Sequence, residues 1–466
     1  MKFIVGEKHM NLPKSIALTC FTLLAVSGNI SFPSVAQTQP TNKTFGDWCR
    51  EKAALNPEAK HTVEVLLKQA GTTDCDAANQ ELSSLTKLEL RSNQISDIKP
   101  LKSLTNLTKI YLDYNQISDI KPLQSLTKLG VLFASNNEIS DIKPLQSLTN
   151  LTELYLAYNQ ISDIKPLESL TNLTHLSLDD TKIIDIKPLL SLTKLSVLSL
   201  DNNQIKDIKL LPSLTNLTNL SLENNQIRDI KPLASLTNLS LLFLDNNQIT
   251  DIKPLASLIN LKGLSLNDNE ISDIKPLQSL SNLTEILLNN NKISDIKPLQ
   301  SLTNLTWLMF RDNKISDIKS LESSPNLILL NLNNNQIKDI KPLASLTKLT
   351  RLFLGDNEIS DIKPLESLTN LEVLNLDNNM IGEIKPLQSL TKLDYLDLEN
   401  NKITDIKPLQ SLTKLIKLLL SNNRISDIKP LQSLTELHAL HLNGNPINPK
   451  TCPIEPEICK WEPQPK

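Results

Sequence analysis

The chain has 466 residues, a formal net charge of −3 and only 3% aromatic residues. That length exceeds one ordinary compact domain, and the charge provides no basic field of the kind that holds nucleic acid. With 9 glycines against a predominance of Leu, Ile, Asn and Lys, the composition is that of a short unit written many times over.

Residues 1–36 read as a secretory signal. Lys2, Lys8 and Lys14 precede a largely apolar run from Ser15 to Gly28, and Ser34-Val35-Ala36 has the small residues of a cleavage site. The run is short for a membrane span, and the long stretch before it makes Met10 an alternative start to Met1. Cys20 lacks a lipobox, no second apolar run reaches spanning length, and no C-terminal sorting motif is visible. The expectation is a soluble exported protein, periplasmic or extracellular, without a transmembrane segment.

Residues 37–81 lack any repeat. Asp47 is positioned to cap a short helix running towards Leu55, and Asn56-Pro57 to cap and open a second. Val63, Leu66, Leu67 and Ala70 fall on one face of that second helix, and Gly71 ends it. The expectation is a small helical cap that shields the first repeat's apolar cross-section.

From Asn93 to Asn445 the same frame recurs in steps of 22 residues without insertion or deletion, and only Thr181 breaks the Asn series. One unit reads Leu85-x-x-Leu88-x-Leu90-x-x-Asn93-x-Ile95-x-Asp97-Ile98-Lys99-Pro100-Leu101. Leu88 and Leu90 alternate with polar positions, so they point inward from a strand while residues 87, 89 and 91 point out. Equivalent strands align into one parallel sheet. The Asn93 amide can serve backbone groups that would otherwise be buried unpaired, and Thr181 should weaken its rung. Ile95, Ile98 and Leu101 return to the core, and Pro100 suits the first position of a short 3₁₀ turn. Leu210 and Ser320 replace that Pro in two repeats.

This frame resembles leucine-rich repeats of the 22-residue class, and among them bacterial internalin-like domains. The resemblance covers residues 82–447, and the helical segment before it is similar in kind to that family's cap. It implies an α/β repeat fold: a right-handed leucine-rich-repeat solenoid with a concave parallel β-sheet, convex 3₁₀ turns, a helical N-terminal cap and a short C-terminal cap over 448–466. The tail does not show the immunoglobulin-like region or wall-anchoring signal of many internalins.

Four cysteines remain after the signal: Cys49, Cys75, Cys452 and Cys459. Three pairings are open to them. Seventeen strands about 4.8 Å apart separate the solenoid's ends by about 77 Å, far beyond disulfide reach. The local pairs Cys49–Cys75 and Cys452–Cys459 follow, and an even count in an exported chain favours disulfides over zinc.

No metal, cofactor or catalytic constellation is expected. The recurring Asp-Ile-Lys reads as a solvated ladder of compensating charge rather than an ion-binding stripe. His438 and His441, three apart on a strand, face opposite ways. Seven of the Asn-x-Thr/Ser sites in the repeats, beginning at Asn106, belong to the repeat template.

The aromatics carry the functional reading. Of ten in the repeats, Phe310 takes a core position; the other nine, including Tyr395, project from the strands or their ends. Tyr111, Tyr114, Phe133, Tyr155 and Tyr158 form a first patch over three repeats. Asp179, Asp180, Asp201, Glu223 and Asp245 form an acidic stretch beyond it. Phe243, Leu287, Trp307, Met309, Arg311, Arg351 and Phe353 form a looser second patch. Amphipathic rings on an open face make good binding anchors, and Arg beside aromatics is a common interface mixture. The reading is an exported, non-catalytic scaffold that binds a protein through its concave face. Alternatives are a carbohydrate-binding adhesive protein, an intracellular scaffold like the phosphatase regulators that this repeat class also resembles, and an enzyme, which would need an acid, base and nucleophile that the sequence does not offer.

Overall fold

The computed structural model describes residues 43–462. The signal segment, including Met10, Cys20 and the cleavage site, lies outside the described residues.

Three helices open the described chain. In α1 (Phe45–Arg50) Thr44 is the N-cap, and Asp47 is its capping-box partner three residues on. This corrects the sequence reading: a capping box needs the acid at the third helical position and the hydroxyl before it. The helix also stops at Arg50, and a 3₁₀ turn (Lys52–Ala54) takes over. Asn56 caps α2 (Pro57–Ala70), which ends on Gly71 at φ 68°, as its sequence predicts. A third helix, α3 (Cys75–Ser84), was not anticipated. Its stretch is mostly polar and buries only Ala78 and Leu82, one turn apart. The Cys49–Cys75 disulfide ties α1 to α3.

The repeats then build one parallel sheet. Strand β1 (Lys87–Glu89) pairs with β2 (Lys109–Tyr111), and this continues every 22 residues to β17 (Ala439–His441). The sequence period is also the register: Lys87 faces Lys109, which faces Val131. A short β18 (Cys459–Lys460), held by the Cys452–Cys459 disulfide, adds an eighteenth parallel strand. Opposite the sheet run 3₁₀ turns such as Lys99–Ser103, with Pro in the second position rather than the first. Where Leu210 replaces it the turn shrinks to Leu211–Ser213. Leu and Ile fill the space between sheet and turns; Leu88, Leu90, Ile95, Ile98 and Leu101 are all fully buried. The core is thus a stack of near-identical apolar layers, each packed on its neighbours.

The Asn column joins these layers. Asn115 Nδ2 donates to Leu90 O in the preceding repeat (2.9 Å) and to Leu112 O in its own (2.8 Å). Its Oδ1 accepts the Ile95 N–H at 2.9 Å. The Asp of Asp-Ile-Lys has a different role from the one its charge suggested. In each repeat that has Asp there, Oδ1 accepts the N–H of the Lys two residues on and so opens the 3₁₀ turn. Among the described residues only Asp97, Asp207 and Asp339 also pair with that Lys ammonium. The series is a column of local caps more than a charge ladder.

Candidate functional site

Strands β2, β3 (Val131–Phe133) and β4 (Glu153–Tyr155) each end on an outward ring. Register places Tyr111 beside Phe133 and Phe133 beside Tyr155. The rings stack with centroids 4.8 Å and 4.2 Å apart and planes inclined by 13° and 9°. Phe133 therefore has both faces covered, and the Tyr155 hydroxyl donates to Glu153 Oε2 at 3.4 Å. All three rings are half-buried.

Two cations stand against the stack. The Arg91 guanidinium lies 4.1 Å from the Tyr111 centroid and 5.4 Å from that of Phe133. Lys87 Nζ lies 5.1 Å from Tyr111. Arg91 is held by Asp113, whose buried carboxylate accepts from Nε at 2.9 Å. The sequence reading named neither Arg91 nor Asp113. Their signal was positional: both stand in the outward column two residues past the ring position.

Tyr114 and Tyr158 flank this stack and are 62% and 53% exposed. Both occupy the left-handed region, at φ 58° and 57°. This conformation recurs before every ladder residue from Ser92 to Gly444, because the chain must turn sharply there. Fourteen of those seventeen residues are Asn, Asp or Gly, the types that tolerate it. A bulky ring there is strained, and exposure leaves little packing to offset the strain. The off-pattern tyrosines were visible in the sequence; the strain was not.

The acidic stretch follows directly. Asp179, Asp201, Glu223 and Asp245 occupy one outward column on four successive repeats, with Asp180 beside the first. Burial and neighbouring carboxylates push Glu223 up to about 7. Burial, against hydrogen bonds that pull the other way, also raises Asp201 and Asp245.

The second patch is looser. Leu287 pairs in register with Met309, but Asn331 separates Met309 from Phe353, and Leu329 separates Trp307 from Arg351. Phe243 stands between Ser221 and Ser265. Among the described residues the only ring–ring stacking is in the first patch. His441 lies 3.6 Å from Glu399, and among the described residues no group of His, Cys, Asp and Glu is arranged to hold a metal.

Ten two-repeat blocks between residues 83 and 451 match the family described as Leucine Rich repeats (2 copies). The solved structure of an internalin, InlF of Listeria monocytogenes, is 37% identical with TM-score 0.63, over 75% of this chain and 97% of that one. The chain is an internalin-like leucine-rich-repeat protein. A leucine-rich-repeat protein of Leptospira interrogans is 28% identical with TM-score 0.68, over 80% of this chain and 93% of that one. The functional domain of InlJ from Listeria monocytogenes shares the fold at 22% identity and TM-score 0.64, over 86% and 82%. No curated protein matches the chain. Leucine-rich-repeat scaffolds are typical of protein–protein recognition. Among the described residues no helix is long and apolar enough to cross a membrane.

Proposed function

We propose that this internalin-like chain is an exported, non-catalytic recognition scaffold that binds a protein partner on the outward face of its sheet, with the first aromatic patch as anchor. The observation that carries this reading is the pair of exposed tyrosines in a left-handed conformation beside a three-ring stack. Strain kept at exposed positions needs a reason outside folding, and rigid amphipathic rings are what interfaces use. Two disulfides support an oxidising compartment, in keeping with the signal-like residues 1–36. The unbroken 22-residue frame gives uniform turns, with none of the long loops that usually carry catalytic groups.

The stack favours a protein over a sugar. Carbohydrates stack on open ring faces, and here the central ring has none. Changing Tyr111, Phe133 and Tyr155 together to Ala should leave the melting transition in place and lower capture of crosslinked partners from the native cell envelope at least tenfold. Equal capture by variant and wild type would sink the choice of anchor, and neutral-glycan binding that disappears in the variant would replace protein with sugar.

A further inference from the structure

The acidic column raises a question that the fold does not answer. Its three Asp residues have a structural job: the side-chain oxygen accepts the backbone N–H 22 residues on. Asp179 Oδ1 accepts from Asp201 N–H (2.9 Å), Asp201 Oδ1 from Glu223 N–H (2.7 Å), and Asp245 Oδ1 from Asn267 N–H (2.8 Å). Neutral Asn does the same elsewhere. Asn267, Asn289 and Asn333 accept from Asn289, Arg311 and Gly355 at 2.8, 2.8 and 2.7 Å. Ala157 and Gly355 hold the same column with no side-chain acceptor at all, so the fold needs no charge here. Where Asp113 holds this position, Arg91 answers it. Among the described residues no cation pairs with Asp179, Asp180, Asp201, Glu223 or Asp245, and burial, with nearby carboxylates adding to it, raises the carboxyls of Asp201, Glu223 and Asp245.

The column is continuous with the proposed anchor. Strands β5 (His175–Ser177), β6 (Val197–Ser199) and β7 (Asn219–Ser221) put Ser where β2–β4 put rings, and β8 (Leu241–Phe243) restores a ring. Beyond Tyr155 the face therefore steps down onto a serine floor and rises again at Phe243, four strand spacings or about 19 Å away. The four carboxylates line one side of this trough over about 14 Å. We propose that the occupant of the face is an extended, cationic segment of a protein partner. It sets an apolar side chain against the first patch and lays Lys or Arg side chains along the Asp179–Asp245 column. In an extended chain alternate side chains recur every 6.6 Å or so, so the column has room for three cations at alternate positions. This rests on the recognition reading and names the chemistry of its partner.

The test is a random 16-residue peptide library displayed on phage and panned on the whole protein. Enriched peptides are then synthesised and titrated by fluorescence anisotropy against two variants. One carries Asp179→Asn, Asp201→Asn, Glu223→Gln and Asp245→Asn, which removes charge and, at the three Asp positions, keeps the acceptor that Asn already supplies in other repeats. The other is the Tyr111, Phe133, Tyr155 triple-Ala variant. Cooperative circular dichroism melts establish that both fold. The expected peptides pair an apolar residue with two or more alternate Lys or Arg. Their affinity should drop at least tenfold on the charge-neutral variant, and likewise between 50 and 300 mM NaCl. Peptides without excess cations, or peptides that bind the charge-neutral variant normally yet lose the triple-Ala variant, overturn the cationic segment and leave the recognition reading standing. Peptides indifferent to both variants, or no enrichment at all, overturn the two together.

Discussion

The Thr181 hydroxyl lies 2.8 Å from Asn203 Oδ1 and 3.0 Å from Leu178 O, its single proton serves one of the two at a time, and there its contribution to the ladder ends. One rung earlier, Asn159 Nδ2 reaches Ala134 O in the preceding repeat and its Oδ1 accepts the Ile139 N–H. The equivalent bonds, to Leu156 O and from Ile161 N–H, are absent among those of the described residues at Thr181. Thr181→Asn should restore both and raise stability by about 1 kcal/mol. The check is the urea midpoint together with hydrogen exchange at the Ile161 amide. An Ile161 amide equally protected in both proteins would refute this account.

How far sequence carried can be read from two neighbouring columns. The ladder Asn was legible, including its weak rung at Thr181, because each copy meets the same surroundings and a 22-residue period fixes both register and burial. The residue before it was not read as left-handed, although Asn136, Asn202 and Asp268 hinted at it, because a backbone angle leaves only a residue preference in sequence. The stack of Tyr111, Phe133 and Tyr155 followed from register; the pairing of Arg91 with Asp113 depended on side-chain rotamers that sequence does not set. Irregular parts fared worst. Helix α3 has only two buried apolar residues, and β18, which pairs with β17, comes from a tail without the repeat frame.

Ser324 marks a fault in the core. It is fully buried with its Oγ unpartnered, at a position where the other repeats, from Leu104 to Leu434, all have Leu. A missing isobutyl group and an unsatisfied hydroxyl both destabilise. Ser324→Leu should therefore add about 2 kcal/mol, read by denaturant unfolding. No gain would mean that the repeat has already closed over the site.

Tyr114 and Tyr158 should oppose stability to function. Replacing both with Asn, the commonest residue of their column, relieves left-handed strain of about 1 kcal/mol at each site. The variant is expected to unfold at higher denaturant and to capture less partner from the envelope. A variant that unfolds earlier than wild type would show that the rings are held by packing, and would remove the strain argument.

The half-buried Glu223 and the buried Asp397 set a pH dependence. Burial, then nearby acids, raises Glu223 to about 7; burial, with Asp377 and Glu399 adding to it, raises Asp397 to about 7. Their unfolded values are 4.5 and 3.8. With the folded value above the unfolded one, the folded state binds more protons between the two, so stability falls as pH rises across that window. The contribution is fully present below about pH 4 and is lost through about pH 7, on the order of 1 kcal/mol per group once solvent screening of these partly exposed carboxyls is discounted. Paired urea titrations at pH 5 and pH 8 should show wild type losing more stability than the Glu223→Gln, Asp397→Asn double variant. Parallel losses in the two proteins would place the pH sensitivity elsewhere in the chain.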